Sequence, residues 1–154
     1  MPQWWRRNLD ADLATTPACV PDRMGDSYRA TMQCVPGYVR VENISRSSVV
    51  SERCRVASTM GERMVGLLRS PEPLPGEGLM IERTQSIHMW FMPYAIDVIF
   101  FDEQKRVTKT IARLRPWRLV PWAPGARDCL ELRVGSIEGS GTRVGDELRI
   151  SPAG

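Results

Sequence analysis

The chain has 154 residues, of which 42% are hydrophobic and 25% charged, and its formal net charge at pH 7 is +3. These values are typical of one soluble globular domain, and so small a net charge does not by itself indicate a polyanionic partner. No stretch reaches the ~18 consecutive apolar residues of a membrane span. The arginine pair Arg6-Arg7 precedes acidic residues instead of an apolar run, so we expect no secretory or twin-arginine signal and a cytoplasmic location.

The first 37 residues differ from the rest of the chain. They contain four prolines and show neither the period of a strand nor that of a helix. We predict a flexible N-terminal extension over residues 1–37 and a single domain over residues 38–151. A disulfide between Cys19 and Cys34 would lie inside the extension, and a reducing compartment disfavours it.

Alternating apolar and polar residues predict two strands at the start of the domain, Tyr38–Asn43 and Val50–Ala57. Thr59 and Glu62 then have the spacing of a capping box, with a threonine N-cap and a glutamate three residues later. Apolar residues at helical spacing follow, so we predict one short amphipathic helix that ends near Arg69. Pro71 and the prolines after it end the helix and begin a loop.

Short strands separated by turns continue to the end of the domain. We predict a strand at 78–81, a hairpin of two apolar runs over 86–101, and further strands at 106–111, 126–134 and 147–150, with a turn or single helical turn at 135–141. In the strand at 126–134, Leu130 and Leu132 share one face, while Cys129 and Glu131 share the other. Several short strands with one helix predict a mainly β fold, a small β-barrel or sandwich with one short amphipathic helix.

The order of these segments resembles the domain of unknown function 192 family, also called uncharacterised protein family 0127. The resemblance covers about residues 38–151 and rests on these segments: Glu62-Arg63 with Gly66-Leu67-Leu68, Gly76-Glu77-Gly78-Leu79, Ser86-Ile87-His88 with Met92, Ile96-Asp97-Val98-Ile99-Phe100, Arg115-Pro116-Trp117-Arg118, Leu130-Glu131-Leu132 with Gly135, and Gly145-Asp146 with Leu148. The resemblance implies a compact β-barrel with a helix packed on it. It implies no particular activity, because none is established for the family. Many relatives carry a tryptophan-methionine pair where this chain has Ile87-His88, so the resemblance implies that the histidine is a feature of one subgroup of the family.

His88 is the single histidine of the chain, and it shares the predicted hairpin with Asp97. Polar groups in apolar strands need partners, so these two side chains are candidates to pair across the hairpin. Arg63 follows the capping glutamate and is expected either to meet Asp97 or Glu131 as a buried ion pair or to bind a small anion with His88. We therefore predict a cleft rimmed by Arg63, His88, Asp97 and Glu131 that makes the domain a non-catalytic module for a small ligand or protein partner.

Two alternatives remain open at this point. In the first, the domain is a small enzyme in which His88 is a general base oriented by Asp97, although the sequence shows no obvious nucleophile. In the second, the basic segment 105–118 binds nucleic acid through Arg113, Arg115 and Arg118 with Trp117 as a stacking ring. We expect a ligand or protein partner in preference to nucleic acid, no membrane partner and no cofactor. We also expect no metal site, since the chain has one histidine and no C-x-x-C motif.

Overall fold

The computed structural model describes residues 37–68 and 70–153. The predicted extension, including Cys19 and Cys34, lies outside the described residues. Nine strands and two helices follow one another along the described chain: β1 (Tyr38–Asn43), β2 (Ser48–Ala57), α1 (Met60–Val65), β3 (Glu77–Ile81), β4 (Ile87–His88), β5 (Ile96–Phe101), β6 (Val107–Leu114), β7 (Leu119–Val120), β8 (Asp128–Leu132), α2 (Ser136–Ser140) and β9 (Leu148–Pro152).

Seven of these strands form one sheet in the order β6-β5-β8-β3-β2-β1-β9. All neighbouring pairs are antiparallel except β2 and β3, which run parallel because α1 and the loop after it carry the chain across. The two edge strands approach each other where Arg106 and Glu147 form a bridge. The sheet is therefore curled, which confirms the predicted mainly β, barrel-like fold.

Both faces of the curled sheet are buried. One face carries Val98 and Cys129 and is covered by the segment after α1 and by the small sheet of β4 and β7. The other face carries Ile99, Leu130 and Leu132, against which Ile137 of α2 packs. The predicted alternation in β8 is confirmed, because Cys129 and Leu130 belong to different apolar clusters. Cys54 and Cys129 are buried free thiols, as expected from their places in strands.

The capping box at the start of α1 is confirmed. The Thr59 hydroxyl accepts a hydrogen bond from the backbone N–H of Glu62, and the Glu62 carboxylate accepts one from the backbone N–H of Thr59. The helix ends at Val65, earlier than the predicted end near Arg69, because Gly66 takes φ 50° and ψ −129°. Arg69 and the side chains of Met60 and Met64 lie outside the described set.

The predicted hairpin over 86–101 is wrong. β4 pairs with β7 in a separate two-stranded sheet, whereas β5 lies in the main sheet between β6 and β8. The Pro93-Tyr94 break therefore separates two layers instead of joining two partners. Strands of two residues carry no detectable period, so the pairing of Ile87 with Val120 could not be read from the sequence.

Candidate ligand-binding site

A pocket lies between the end of α1, strand β4 and the middle of β8. Its volume is about 60 Å³, and its walls are largely apolar, with Leu67, Ile81 and Met92 among them. Three of the four side chains predicted to rim a cleft line it: Arg63, His88 and Glu131. The structure thus brings together residues that are 68 positions apart in the chain, on three different elements.

Glu131 is the unusual residue of this pocket. It lies in β8 opposite Leu79 of β3 and Val98 of β5, and it is 5% exposed. Burial raises the pKa of its carboxyl to about 7, while a hydrogen bond from the backbone of Leu67 and the charge of Arg55 lower it in part. Among the described residues, its Oε2 atom has no hydrogen-bond partner. A buried carboxyl oxygen without a partner is energetically costly and needs a physical reason.

The backbone at the end of α1 leaves open space beside this carboxyl. A Cβ atom on Gly66 would lie 3.5 Å from Oε2 and 3.6 Å from Oε1 of Glu131, in ordinary van der Waals contact. Glycine leaves that space free, and its positive φ favours glycine at this position. The Tyr94 hydroxyl lies 3.1 Å from the carbonyl oxygens of Ser70 and Pro71, and its hydrogen bonding there ties down the segment after α1. The segment after α1, which forms this wall of the pocket, is therefore held in place.

Arg63 and His88 supply the other polar groups of the pocket. Arg63 projects from α1, and its guanidinium donates to the carbonyl oxygen of Glu82 at 3.3 Å. His88 pairs with Leu119 across the small sheet and has an exposed side chain, while its neighbour Ile87 is buried. This placement gives the pocket a buried acid on its inner side and a histidine that reaches solvent.

Asp97 does not belong to this site. It does not line the pocket, and its carboxylate accepts three backbone hydrogen bonds, from Arg113 at 2.8 Å and from Gly135 and Ile137 at 3.0 Å each. These bonds join β5 to a bulge in β6 and to the start of α2. The predicted pairing of Asp97 with His88 is wrong because the two residues lie in different sheets. Its role is structural.

The sequence identified three of the polar residues of the pocket but not the contacts that form it. Glycine at position 66 and the pairing of β4 with β7 create the space, and neither leaves a distinctive pattern in one sequence. The signals available in the sequence were polar side chains in or beside apolar segments, among them Glu131 on the same strand face as Cys129. Within the described residues, no group of three or more His, Cys, Asp or Glu side chains is placed to hold a metal ion.

The basic segment 105–118 is spread over a turn, strand β6 and the loop after it. Arg113, Arg115, Trp117 and Arg118 are all exposed, as the nucleic-acid alternative requires. None of them lines the Glu131 pocket. No helix in the described part of the chain is long and apolar enough to cross a membrane.

Comparison with known proteins gives a consistent result. The DUF192 family model, described as "Uncharacterized ACR, COG1430", matches residues 41–150. The chain is 34% identical over 113 residues to a UPF0127 protein of Thermococcus sibiricus, covering 69% of this chain and 71% of that protein. It is also 34% identical over 110 residues to a UPF0127 protein of Pyrococcus furiosus, covering 69% and 93%.

Two solved structures share the fold. A protein of unknown function from Novosphingobium aromaticivorans superposes with a TM-score of 0.63 at 24% identity, covering 88% of this chain and 98% of that one. A protein of Sinorhizobium meliloti, described as a proposed transcription regulator, superposes with a TM-score of 0.62 at 18% identity, covering 74% and 92%. At these identities the similarity shows the fold alone. The family match and the two relatives, however, show that this chain belongs to the DUF192 (UPF0127) family of uncharacterised proteins.

Proposed function

We propose that the domain is a non-catalytic binding module whose ligand enters the pocket lined by Arg63, His88 and Glu131. The observation that carries this proposal is the Oε2 atom of Glu131, a buried acceptor that has no hydrogen-bond partner among the described residues. A ligand that donates a hydrogen bond to this oxygen would remove its desolvation penalty. A hydrogen bond to a charged group contributes about 1.5–3 kcal/mol.

The chemistry of the carboxyl defines the ligand. An acceptor of this kind needs a hydrogen-bond donor, and the two N–H donors that we consider are the ammonium group of an amine and the neutral N–H of an amide. Because the pKa of Glu131 is raised to about 7, the carboxylate form that attracts an ammonium ion is in the majority only above that pH. The binding of a neutral amide depends less strongly on the ionisation of Glu131.

The volume of the pocket limits the size of the bound group. About 60 Å³ is far below the roughly 300–1,000 Å³ of pockets that enclose drug-sized ligands. The pocket therefore accommodates a group of a few atoms, either as a whole ligand or as the end of a larger one. The apolar walls formed by Leu67, Ile81 and Met92 match a short hydrocarbon attached to the polar group.

The enzymatic alternative loses its orienting residue. A histidine base needs a partner that fixes its tautomer, and the predicted partner Asp97 is held by three backbone N–H groups elsewhere. His88 remains at the pocket, where an exposed imidazole suits ligand contact. Binding without chemistry is therefore the function that these residues support best.

Methyl NMR of the methionines tests the proposal directly. Met89 and Met92 line the pocket, whereas Met80 belongs to the apolar cluster on the other face of the sheet and serves as an internal reference. The probes are ethylammonium, acetamide and acetate. A ceiling of about 1.5 kcal/mol per non-hydrogen atom limits ethylammonium, which has three such atoms, to a Kd of about 1 mM or weaker, so its titration must extend well above that concentration.

We expect ethylammonium at pH 8 and acetamide to shift the Met89 and Met92 methyl signals with saturation, while acetate has no effect. Glu131→Gln should abolish the response to ethylammonium, and Glu138→Gln, a change at an exposed glutamate in α2, should leave it intact. Unshifted signals with every probe would contradict the proposal. An equal response from the Glu131→Gln variant would contradict it as well.

A further inference from the structure

Three aromatic rings form an exposed cluster, the aromatic tip, at the end of the small sheet. Trp90 is 42% exposed, Phe91 71% and Trp117 57%. The Trp117 ring lies 6.1 Å from Trp90 and 5.0 Å from Phe91, centroid to centroid, so the three rings are one patch. Leu119 beside them is 53% exposed. Contiguous exposed apolar side chains of this size mark interaction surfaces in soluble domains.

The backbone under the aromatic tip is strained. Phe91 has φ 63° and Trp117 has φ 62°, a left-handed conformation that bulky side chains rarely adopt. The conformation is maintained by hydrogen bonds that join the two loops: the N–H of Trp117 donates to the carbonyl of Met89, and the N–H of Met89 donates to the carbonyl of Arg118, both at 2.8 Å. Met89 is 1% exposed and anchors both loops in the core. Strain that displays apolar rings to solvent is typical of functional surfaces.

The charge around the aromatic tip has one sign. Arg115 and Arg118 flank Trp117 in sequence, Arg113 precedes them, and all three are exposed. No aspartate or glutamate occurs in residues 83–96 or 104–127, the segments that contain both loops. Exposed apolar rings on segments that contain arginines and no acidic residue are complementary to an anionic surface with an apolar interior.

The geometry of the rings favours a lipid surface over a nucleic acid as the partner of the aromatic tip. Trp117 meets Trp90 at 65° and Phe91 at 67°, both edge to face. Rings that pack into one another in this way form a compact wedge, whereas single-stranded nucleic acids need open, flat ring faces on which bases stack. Tryptophan rings also locate preferentially at the headgroup level of bilayers.

We propose that the aromatic tip docks on the surface of an anionic lipid bilayer, a partner that the sequence alone did not lead us to expect. Phe91 and Leu119 enter the boundary between headgroups and acyl chains, Trp90 and Trp117 lie at headgroup level, and Arg115 and Arg118 bind lipid phosphates. This is a surface contact, which requires no segment of the domain to cross the bilayer. The aromatic tip adjoins the Glu131 pocket, because Trp90 also lines that pocket, but the lipid contact does not require a ligand there.

Vesicle co-sedimentation of the full chain tests this proposal. The vesicles contain phosphatidylcholine alone or a 7:3 mixture of phosphatidylcholine and phosphatidylglycerol. The variants are Phe91→Ser with Trp117→Ser, and Arg115→Glu with Arg118→Glu. Their matched controls are Leu74→Ser, at a leucine that is 61% exposed in another loop, and Arg143→Glu, at an exposed arginine near β9. All of these sites are on the surface, so thermal unfolding should confirm that each variant is folded.

We expect the protein to sediment with the anionic vesicles, and to do so less as salt is raised. Each basic side chain near an anionic bilayer contributes about fivefold to binding, so the two-arginine variant should bind at least tenfold more weakly. The aromatic variant should lose most binding, and both controls should match the unmodified chain. Failure to sediment, or binding unchanged in the aromatic variant, would overturn the proposal. So would binding to a 20-nucleotide oligothymidine in place of vesicles, which would assign the aromatic tip to single-stranded nucleic acid.

Discussion

Replacing Glu131 with glutamine should remove a pH dependence from the stability of the domain. In the folded protein the pKa of Glu131 is raised from its ordinary value of 4.5 to about 7, chiefly by burial. Between these values the folded state keeps a proton that the unfolded chain has released. The free energy of unfolding therefore decreases as the pH rises from 4.5 through about 7.

The size of this effect follows from the two pKa values. Each tenfold difference in proton affinity is worth about 1.4 kcal/mol, so the full contribution is about 3 kcal/mol. Below pH 4.5 both states are protonated and the contribution disappears. Glutamine has nearly the same shape and does not titrate, so the variant should gain about 3 kcal/mol relative to the unmodified chain between pH 4.5 and pH 8. Any fixed difference from the amide itself is independent of pH and does not enter this comparison.

Urea unfolding at several values between pH 4.5 and pH 8 measures the difference in stability between the two proteins. Because all other carboxyls titrate equally in both, the change of that difference with pH isolates Glu131. Glu138→Gln, at an exposed glutamate, should show a difference that is constant with pH. A constant difference for Glu131→Gln as well would show that the carboxyl is not desolvated, and the reasoning for the pocket would fail.

Three further substitutions test the framework of the domain. Asp97→Ala leaves three backbone N–H groups without their acceptor and should lower the free energy of unfolding in urea by about 3 kcal/mol, with ethylammonium binding retained in the folded protein. Loss of ethylammonium binding without loss of stability would instead assign Asp97 to the binding site. Gly78→Ala places a Cβ 2.6 Å from a leucine methyl carbon of β8 and should lower the stability by about 1–3 kcal/mol. Gly61→Ala in α1 is the control, because its Cβ enters free space and should not lower the stability. Thermal unfolding of both variants measures the difference. Asp146→Asn weakens the bond to Arg46 that holds the pKa of Asp146 at about 2. At pH 7 the variant should therefore lose about 1–2 kcal/mol of unfolding free energy, measured in urea. If the ion pair is responsible, this loss of stability must vanish as the pH falls through 2.

Much of the fold could be predicted from local pattern. The alternation in β1 and the capping box at Thr59 depend on neighbours in sequence, so one sequence contains the information. The burial of both faces of β8 was also visible, since Leu130 and Cys129 alternate between two apolar sides. These features depend on short-range periodicity and on the hydrogen-bonding needs of one helix end.

The candidate site depends on contacts that local pattern does not encode. His88 lies in a strand of two residues whose partner, Leu119, is 31 positions away, and such a pairing has no period to detect. Asp97 looked like a functional acid because it interrupts an apolar run, yet its partners are backbone N–H groups, which every residue type supplies. Glu131 was found because a glutamate in a core strand is conspicuous whatever its neighbours are.

The most direct measurement is the pH titration of the Glu131 carboxyl carbon by ¹³C NMR, with and without ethylammonium. We expect an apparent pKa of about 7 in the free protein, and a lower value when ethylammonium saturates the pocket, because a bound cation favours the charged carboxylate. The Glu131→Gln variant assigns the signal. A carboxyl that titrates near 4.5, or whose pKa is unchanged by ethylammonium, would contradict the conclusion that this buried acid is the ligand-binding group of the domain.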